Sequence, residues 1–213
     1  MAVKSEREYR DMTIEIRSAE NEEVEEDRKI VKGYASTFNE PYTLYEDEDW
    51  KFDEVVDARA FDKTDMSDVI MQYDHEGRVF ARISNNTLTV IPDERGLLIE
   101  ADLGGTELGR QLFEEIEGGY TNKMSFGFTV DGEVRKDSKM EDGRTRTVRT
   151  ITSVRKLYDV SAVSLPANDA TSISVRTLTD GEIERIRAER LEAEKLELRR
   201  RKLLAKAKLN GGQ

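Results

Sequence analysis

The chain has 213 residues, 37% of them hydrophobic and 37% charged, with a formal net charge of −11. That is enough for one large domain, but the charge exceeds what one compact core can hold, so a solvated extension is expected. The acidic excess argues against general nucleic-acid binding, and no apolar run approaches the roughly 20 residues of a membrane-spanning helix.

Residues 1–29 read as a charged N-terminal segment. Its opening, MAVKSEREYRDM, lacks the apolar stretch of a signal peptide. With no cysteine in the chain, the reading is a soluble intracellular protein. Inside this segment MTIEIRS (12–18) alternates like a strand, and Glu20 to Lys29 is mostly acidic.

Residues 30–176 are strand-rich. IVKGYASTF (30–38), VIMQYDH (69–75), VFARI (79–83), TLTVI (87–91), GLLIEADL (96–103), KMSFGFTV (123–130), RTVRTITSVRKL (146–157) and YDVSAVSL (158–165) carry β-branched and aromatic residues. Gly, Asn and Asp clusters punctuate them. The acidic run EDED (46–49) reads as a solvated loop; it lacks the alternating ligands and turn glycine of a calcium site. One helix is predicted over 107–119, where Leu108, Leu112 and Ile116 recur every four residues after Thr106 as N-cap. Residues 137–145 read as an exposed hairpin loop.

Residues 177–213 form one long helical pattern. Thr179 and Glu182 make a capping box, acids lead, bases trail, and Asn210-Gly211 is the stop. The leucines hold no heptad, which favours an amphipathic or single exposed helix over a coiled coil.

The absence of cysteine excludes a thiol nucleophile and a thiolate zinc site, and the single histidine, His75, excludes a multi-histidine one. Imidazole base catalysis would have to use His75, with a serine oxygen as nucleophile. Such a serine needs a base within hydrogen-bond reach, and the base gains from a third group that holds its ring. Ser125 in NKMSFGF (122–128) and Asp159 in LYDVSAVSLPAND (157–169) lie on separate strands from His75. Spacing alone leaves open whether they meet. Each has a plainer reading: His75 as a structural or exposed residue, Ser125 as a small strand residue, and Asp159 as an acid paired with Arg155 or Lys156.

From about Lys32 to Arg176 the order of segments resembles the prohead maturation proteases of tailed bacteriophages. The resemblance rests on GYASTF (33–38), VVDARAF (55–61), YDHEGRVFARI around His75, GLLIEADL, the helix, MSFGF around Ser125, and DVSAVSLPAN. It implies a β-rich α+β fold, a closed β-barrel of the herpesvirus-protease type with surrounding helices, followed by the long charged C-terminal helix. It divides the chain into the segment 1–29, a serine protease domain 30–176 and the extension 177–213.

The implied function is that of a serine endopeptidase of capsid maturation. His75, Ser125 and Asp159 map onto the catalytic residues, and no metal or organic cofactor is needed. Asp159 departs from the family, which often has glutamate there, and VVDARAF lacks the usual glycine. Backbone N–H groups near Ser161 to Ser164, or Arg78, are the candidate oxyanion donors. The implied partners are the major capsid protein and the scaffold, with self-cleavage and self-association allowed for and no nucleic acid or membrane. The implied location is the host cytoplasm, inside assembling proheads, with the C-terminal helix as a docking segment or a trimmed one. The alternatives are a non-catalytic assembly or scaffolding protein on the same fold, and an unrelated serine esterase, against which the absent Gly-x-Ser-x-Gly elbow counts.

Overall fold

The computed structural model describes residues 7–12, 17–18, 28–163 and 180–210. The chain divides into two compact units, Met1–Thr177 and Leu178–Gln213. The first holds two sheets and one helix. Its strands are β1 (Glu8–Met12), β2 (Arg17–Ser18), β3 (Ile30–Thr37), β4 (Tyr42–Glu46), β5 (Trp50–Val56), β6 (Ile70–Tyr73), β7 (Glu76–Arg82), β8 (Leu88–Pro92), β9 (Gly96–Asp102), β10 (Lys123–Lys139) and β11 (Thr145–Val163).

The larger sheet is organised by the antiparallel pair β10 and β11. One edge of β10 carries β1, and the far edge of β11 carries β5 and then β6, both parallel. β4 closes on β5, and β7 on β6. The smaller sheet runs β2-β3-β9-β8. Inward-facing side chains of both sheets form one core with α1 (Glu107–Glu117), including Val31, Leu97, Ile99, Phe126, Phe128, Ile151, Leu157, Leu112 and Ile116. Thr106 caps α1 as its residue type predicts, its Oγ1 accepting from the Gly109 N–H at 2.9 Å.

The expected closed barrel is not there. Closure requires that the terminal strands of a sheet hydrogen-bond to each other. Here β1, β4 and β7 end the larger sheet and β2 and β8 the smaller, so both remain open. Nor do helices surround the sheets: among the described residues α1 is the only α-helix of this unit. β10 and β11 bend instead of closing, with register shifts at Gly127/Phe128, Thr129/Val130, Val130/Gly132 and Gly132/Glu133.

Other differences trace to charge. The hairpin loop expected at 137–145 shrinks to a turn between Lys139 and Thr145, because β10 runs on through polar residues. Two predicted strands merge into β11. β4 and β5 lie where charged residues hid the strand pattern, and the carboxylates of β5 are neutralised inside. Asp53 accepts from Arg146 at 2.6 Å and Glu54 from Arg149 at 2.7 Å. In the N-terminal segment the strand of the larger sheet is Glu8–Met12, ahead of the stretch expected; residues 13–16 lie outside the described residues.

The second unit contains α2 (Asp180–Asn210). Leu191, Leu196, Leu198, Leu203 and Leu204 are exposed on it, and Arg201 pairs with Glu197 one turn earlier at 2.6 Å. The expected cap residue Thr179 and the Pro166 segment lie outside the described residues. Among the described residues no helix is long and apolar enough to cross a membrane.

A buried ion cluster ties β1 to β5 and β11. Arg10 (1% exposed) donates to Glu54 (0% exposed) at 2.6 and 3.0 Å and to Glu8 at 2.5 Å. Arg149 donates to Glu8 at 2.7 and 3.0 Å, and Tyr42 adds its hydroxyl to Glu54. Charges this deep persist only when paired, because an unpartnered one would carry its full desolvation cost. Burial by itself would raise the Glu8 pKa, but the hydrogen bond from Arg149 and the charges of Arg10 and Arg149 outweigh it and lower it to about 2.

A depressed carboxylate contributes stability that is full above its unfolded pKa and is lost as pH falls through its folded one. For Glu8 that window runs from the ordinary value of 4.5 down to about 2. Chemical denaturation followed across this range should show stability falling towards acid, and Glu8→Gln should flatten that fall. An identical slope in both proteins would refute the assignment.

Candidate active site

His75 sits at the tip of the two-residue turn that joins β6 to β7, where Tyr73 pairs with Glu76. Both turn residues are left-handed, Asp74 at φ 48° and His75 at φ 61°. A tight hairpin of this hand needs positive φ at both central positions. Asp and His are among the few non-glycine residues that adopt it readily. The turn is tied to the end of β11: the Asp74 N–H donates to the Ala162 carbonyl at 3.0 Å and the His75 N–H to Ser161 Oγ at 3.2 Å. The imidazole is thus aimed at the sheet by backbone geometry.

The sheet supplies the rest. β10 and β11 pair with Ser125 opposite Ser161 and Gly127 opposite Asp159. Alternation then places all four on one face, while Met124, Phe126, Phe128, Val160 and Ala162 point into the core. On the outer face His75 Nε2 lies 2.5 Å from Ser125 Oγ, and His75 Nδ1 meets Asp159 Oδ2. The three sequence candidates therefore converge. With Nδ1–H donated to the carboxylate, the Nε2 lone pair faces the serine hydroxyl.

Asp159 is fully buried, and its plainer reading fails: Arg155 pairs with Asp131 and Lys156 with Asp65 instead. Its partners are His75, Ser161 and Arg7. Ser161 Oγ donates to Asp159 Oδ2 at 3.0 Å and lies 3.2 Å from His75 Nδ1. The Arg7 guanidinium pairs with Asp159 Oδ1 and stacks over Tyr158 at 4.5 Å. The Tyr9 ring meets the imidazole edge-on, with centroids 4.5 Å apart. Four contributors were thus not assigned these contacts from sequence: Ser161, Gly127, Arg7 and Tyr9. Alternation could have flagged Ser161, two residues after Asp159, and Gly127, two after Ser125. Nothing local could flag Arg7 or Tyr9, which arrive across the sheet.

Of the proposed oxyanion donors, Ser161 enters through its side chain, Ser164 lies outside the described residues, and Arg78 is exposed on β7. The EDED run is occupied in turn formation: Asp47 Oδ1 accepts from the Trp50 N–H at 2.8 Å, and Glu46 pairs with Arg144 at 2.6 Å. Among the described residues no group of three acidic or histidine side chains could hold a metal ion.

A serine, an imidazole and a carboxylate in one hydrogen-bonded chain are the parts of an acyl-transfer site. The family model described as caudovirus prohead serine protease matches residues 13–185. The chain belongs to that family. Membership makes it a phage capsid-maturation serine protease at family level, acting within assembling proheads and associated with phage capsid proteins. No curated protein and no solved structure matches the chain.

Gly127 is the tightest point of this prohead protease site. A Cβ there would lie 2.3 Å from Asp159 Oδ1 and 2.9 Å from Arg7 Nε. Gly127→Ala should therefore push the carboxylate off the imidazole while the core face stays packed. The expected result is a fall of about 100-fold in peptide hydrolysis with an unchanged circular dichroism spectrum, the scale of a displacement of about 1 Å at a reacting centre. Wild-type turnover would refute the close fit. Ser161→Ala removes the hydroxyl's hydrogen bond to the carboxylate and its anchor for the His75 N–H, and should lower kcat about ten-fold with KM unchanged; a change in KM alone would refute its positioning role.

Proposed function

We propose that Ser125 is the nucleophile, His75 the general base and Asp159 the orienting acid of a Ser–His–Asp endopeptidase. Its substrates are the scaffold, or the scaffolding segment of the major capsid protein, and the protease itself during head assembly. The observation that carries this reading is the hydrogen-bonded chain from Ser125 Oγ through His75 to Asp159. Residues 30–176 are the protease domain on this reading, completed by β1 from the preceding segment, and the shell assembling in the host cytoplasm is where it acts.

In the first half-reaction His75 Nε2 takes the hydroxyl proton as Ser125 Oγ bonds to a peptide carbonyl carbon. Asp159 stabilises the imidazolium that results, and Ser161 and Arg7 hold the carboxylate in place for it. The imidazolium then gives its proton to the leaving amine as the C–N bond breaks. Water, deprotonated by the same imidazole, releases the acyl group and restores the serine. Every proton moves through His75, as the only imidazole in the chain requires. Confinement in a shell raises the effective concentration of substrate, so modest intrinsic activity suffices.

Co-expression with the capsid and scaffold genes of the same phage, read by intact mass, tests the reading. Wild type should give defined fragments and Ser125→Ala none. Asp159→Asn should retain the fold and cut about 10³- to 10⁴-fold more slowly, because the imidazole loses its orienting charge. Identical masses for wild type and Ser125→Ala, with shells still forming, would refute the protease assignment and favour a non-catalytic assembly protein.

A further inference from the structure

A nucleophile that cuts other chains must be reachable, yet Ser125 is 0% exposed. Beside His75, the chain's own β1 lies against it. This strand adds to the edge of β10 in antiparallel register, from Glu8 opposite Phe128 to Met12 opposite Met124. The Arg10 carbonyl accepts a hydrogen bond from Ser125 Oγ at 3.0 Å. Ahead of Arg10 in the chain, Tyr9 packs on His75 and Arg7 pairs with Asp159, so the four residues from Arg7 to Arg10 contact all three site groups.

The Arg10 side chain is buried in a ready-made cation pocket. Glu54 receives it through two hydrogen bonds, at 2.6 and 3.0 Å, and the Phe128 ring lies 5.6 Å beneath the guanidinium. A bidentate carboxylate with an aromatic floor recognises a guanidinium by shape as well as by charge. Glu54 belongs to β5 and Phe128 to β10, so both are part of the protease body; Glu54 also pairs with Arg149 at 2.7 Å, and Glu8 of β1 adds a second carboxylate to Arg10 at 2.5 Å. The family match begins at residue 13, just after β1, so this strand lies outside the matched residues.

We propose that the edge of β10 beside Ser125 is the substrate groove. It takes an extended peptide as an added antiparallel strand and selects arginine, through Glu54, at the residue whose carbonyl meets the nucleophile. β1 is the chain's own occupant of that groove and holds it shut. Strand addition supplies the backbone hydrogen bonds of the bound peptide, and the pocket supplies specificity. This inference rests on Ser125 being the nucleophile.

The geometry also accounts for why β1 blocks the site. The Ser125 hydroxyl has one hydrogen and two acceptors, His75 Nε2 at 2.5 Å and the Arg10 carbonyl oxygen at 3.0 Å. Donation to the carbonyl oxygen directs the hydroxyl proton away from the base. It also leaves that oxygen facing the serine, whereas attack on the carbonyl carbon requires it to turn to other donors. Opening requires Arg10 to leave its pocket, where it is anchored by charge.

The test is the labelling rate of the full chain by a fluorophosphonate probe, which bonds through phosphorus to an activated serine with loss of fluoride, read by intact mass. The rate scales with the fraction of molecules whose groove is open. Wild type should label slowly and Arg10→Ala about ten-fold faster or more. Glu8→Gln, a milder loosening of the same strand, should fall between them and serves if Arg10→Ala does not fold. The peptide Glu-Tyr-Arg-Asp-Met should slow labelling of Arg10→Ala, and the same peptide with alanine for arginine should not. Equal rates in wild type and the folded variants would overturn the groove assignment while leaving Ser125 as nucleophile. Equal protection by both peptides would overturn the arginine preference. No label at Ser125 in any form would overturn the nucleophile assignment and this inference with it.

Discussion

The register that sets Ser125 opposite Ser161 is the constraint on which the rest of the site depends. Side chains alternate strictly along a strand, so this one pairing puts Ser125, Gly127, Asp159 and Ser161 on one face together. The same alternation sends Met124, Phe126, Phe128, Val160 and Ala162 to the other face. Those five are 0–1% exposed and lie in the main core. A slip by one residue would bury the polar set in the core and expose the aromatic one. The hydrophobic effect therefore enforces the site geometry from behind: at roughly 1.5–3 kcal/mol per large apolar side chain, the core face outweighs any single hydrogen bond in the site.

His75 is placed by a different device. It is brought to the sheet by a two-residue turn in which both residues are left-handed. Such a conformation disfavours most side chains and persists only where its surroundings hold it. Here the holding contacts are the two backbone donations to Ala162 and Ser161. The parallel pairing of β6 with residues 159–162 of β11 brings the turn alongside Asp159. Ser161 thus has two tasks, to anchor the turn through its hydroxyl and to hold the acid.

Charge is used unusually deep in this protein. Arg10, Glu54, Arg149 and Asp159 are almost wholly buried, and each is paired with a charged partner from a distant part of the chain. A buried pair of this kind adds little net stability over apolar packing, because desolvation offsets attraction. What it supplies is position. Glu54 meets the Arg10 guanidinium through both of its oxygens, and that contact fixes β1 against β10. The same strand closes both the charged pocket and the outer face of the site, so the covering of Ser125 and the seating of Arg10 are one event.

Much of this was legible in the sequence. The strand-rich middle, the helix after Thr106 and the long charged C-terminal helix each follow from local pattern or composition; elimination singles out His75, and the resemblance adds Ser125 and Asp159 as its candidate partners. With one histidine and no cysteine the chemistry had few carriers, and the order of motifs named the family. Where the reading failed, the missing information was long-range. Whether a sheet closes depends on which strand edges meet, and a single strand does not record that, so the barrel expected from resemblance gave way to two open sheets. The charged β4 and β5 were hidden because their carboxylates look solvated until Arg10, Arg146 and Arg149 are brought to them. Arg7 and Tyr9 could not be assigned from residues 7–12 by themselves, since their partners lie more than sixty positions away. The sequence by itself determined which atoms could react; the tertiary structure decided that they meet, and that β1 lies over them, because both depend on strand pairing between segments far apart in the chain.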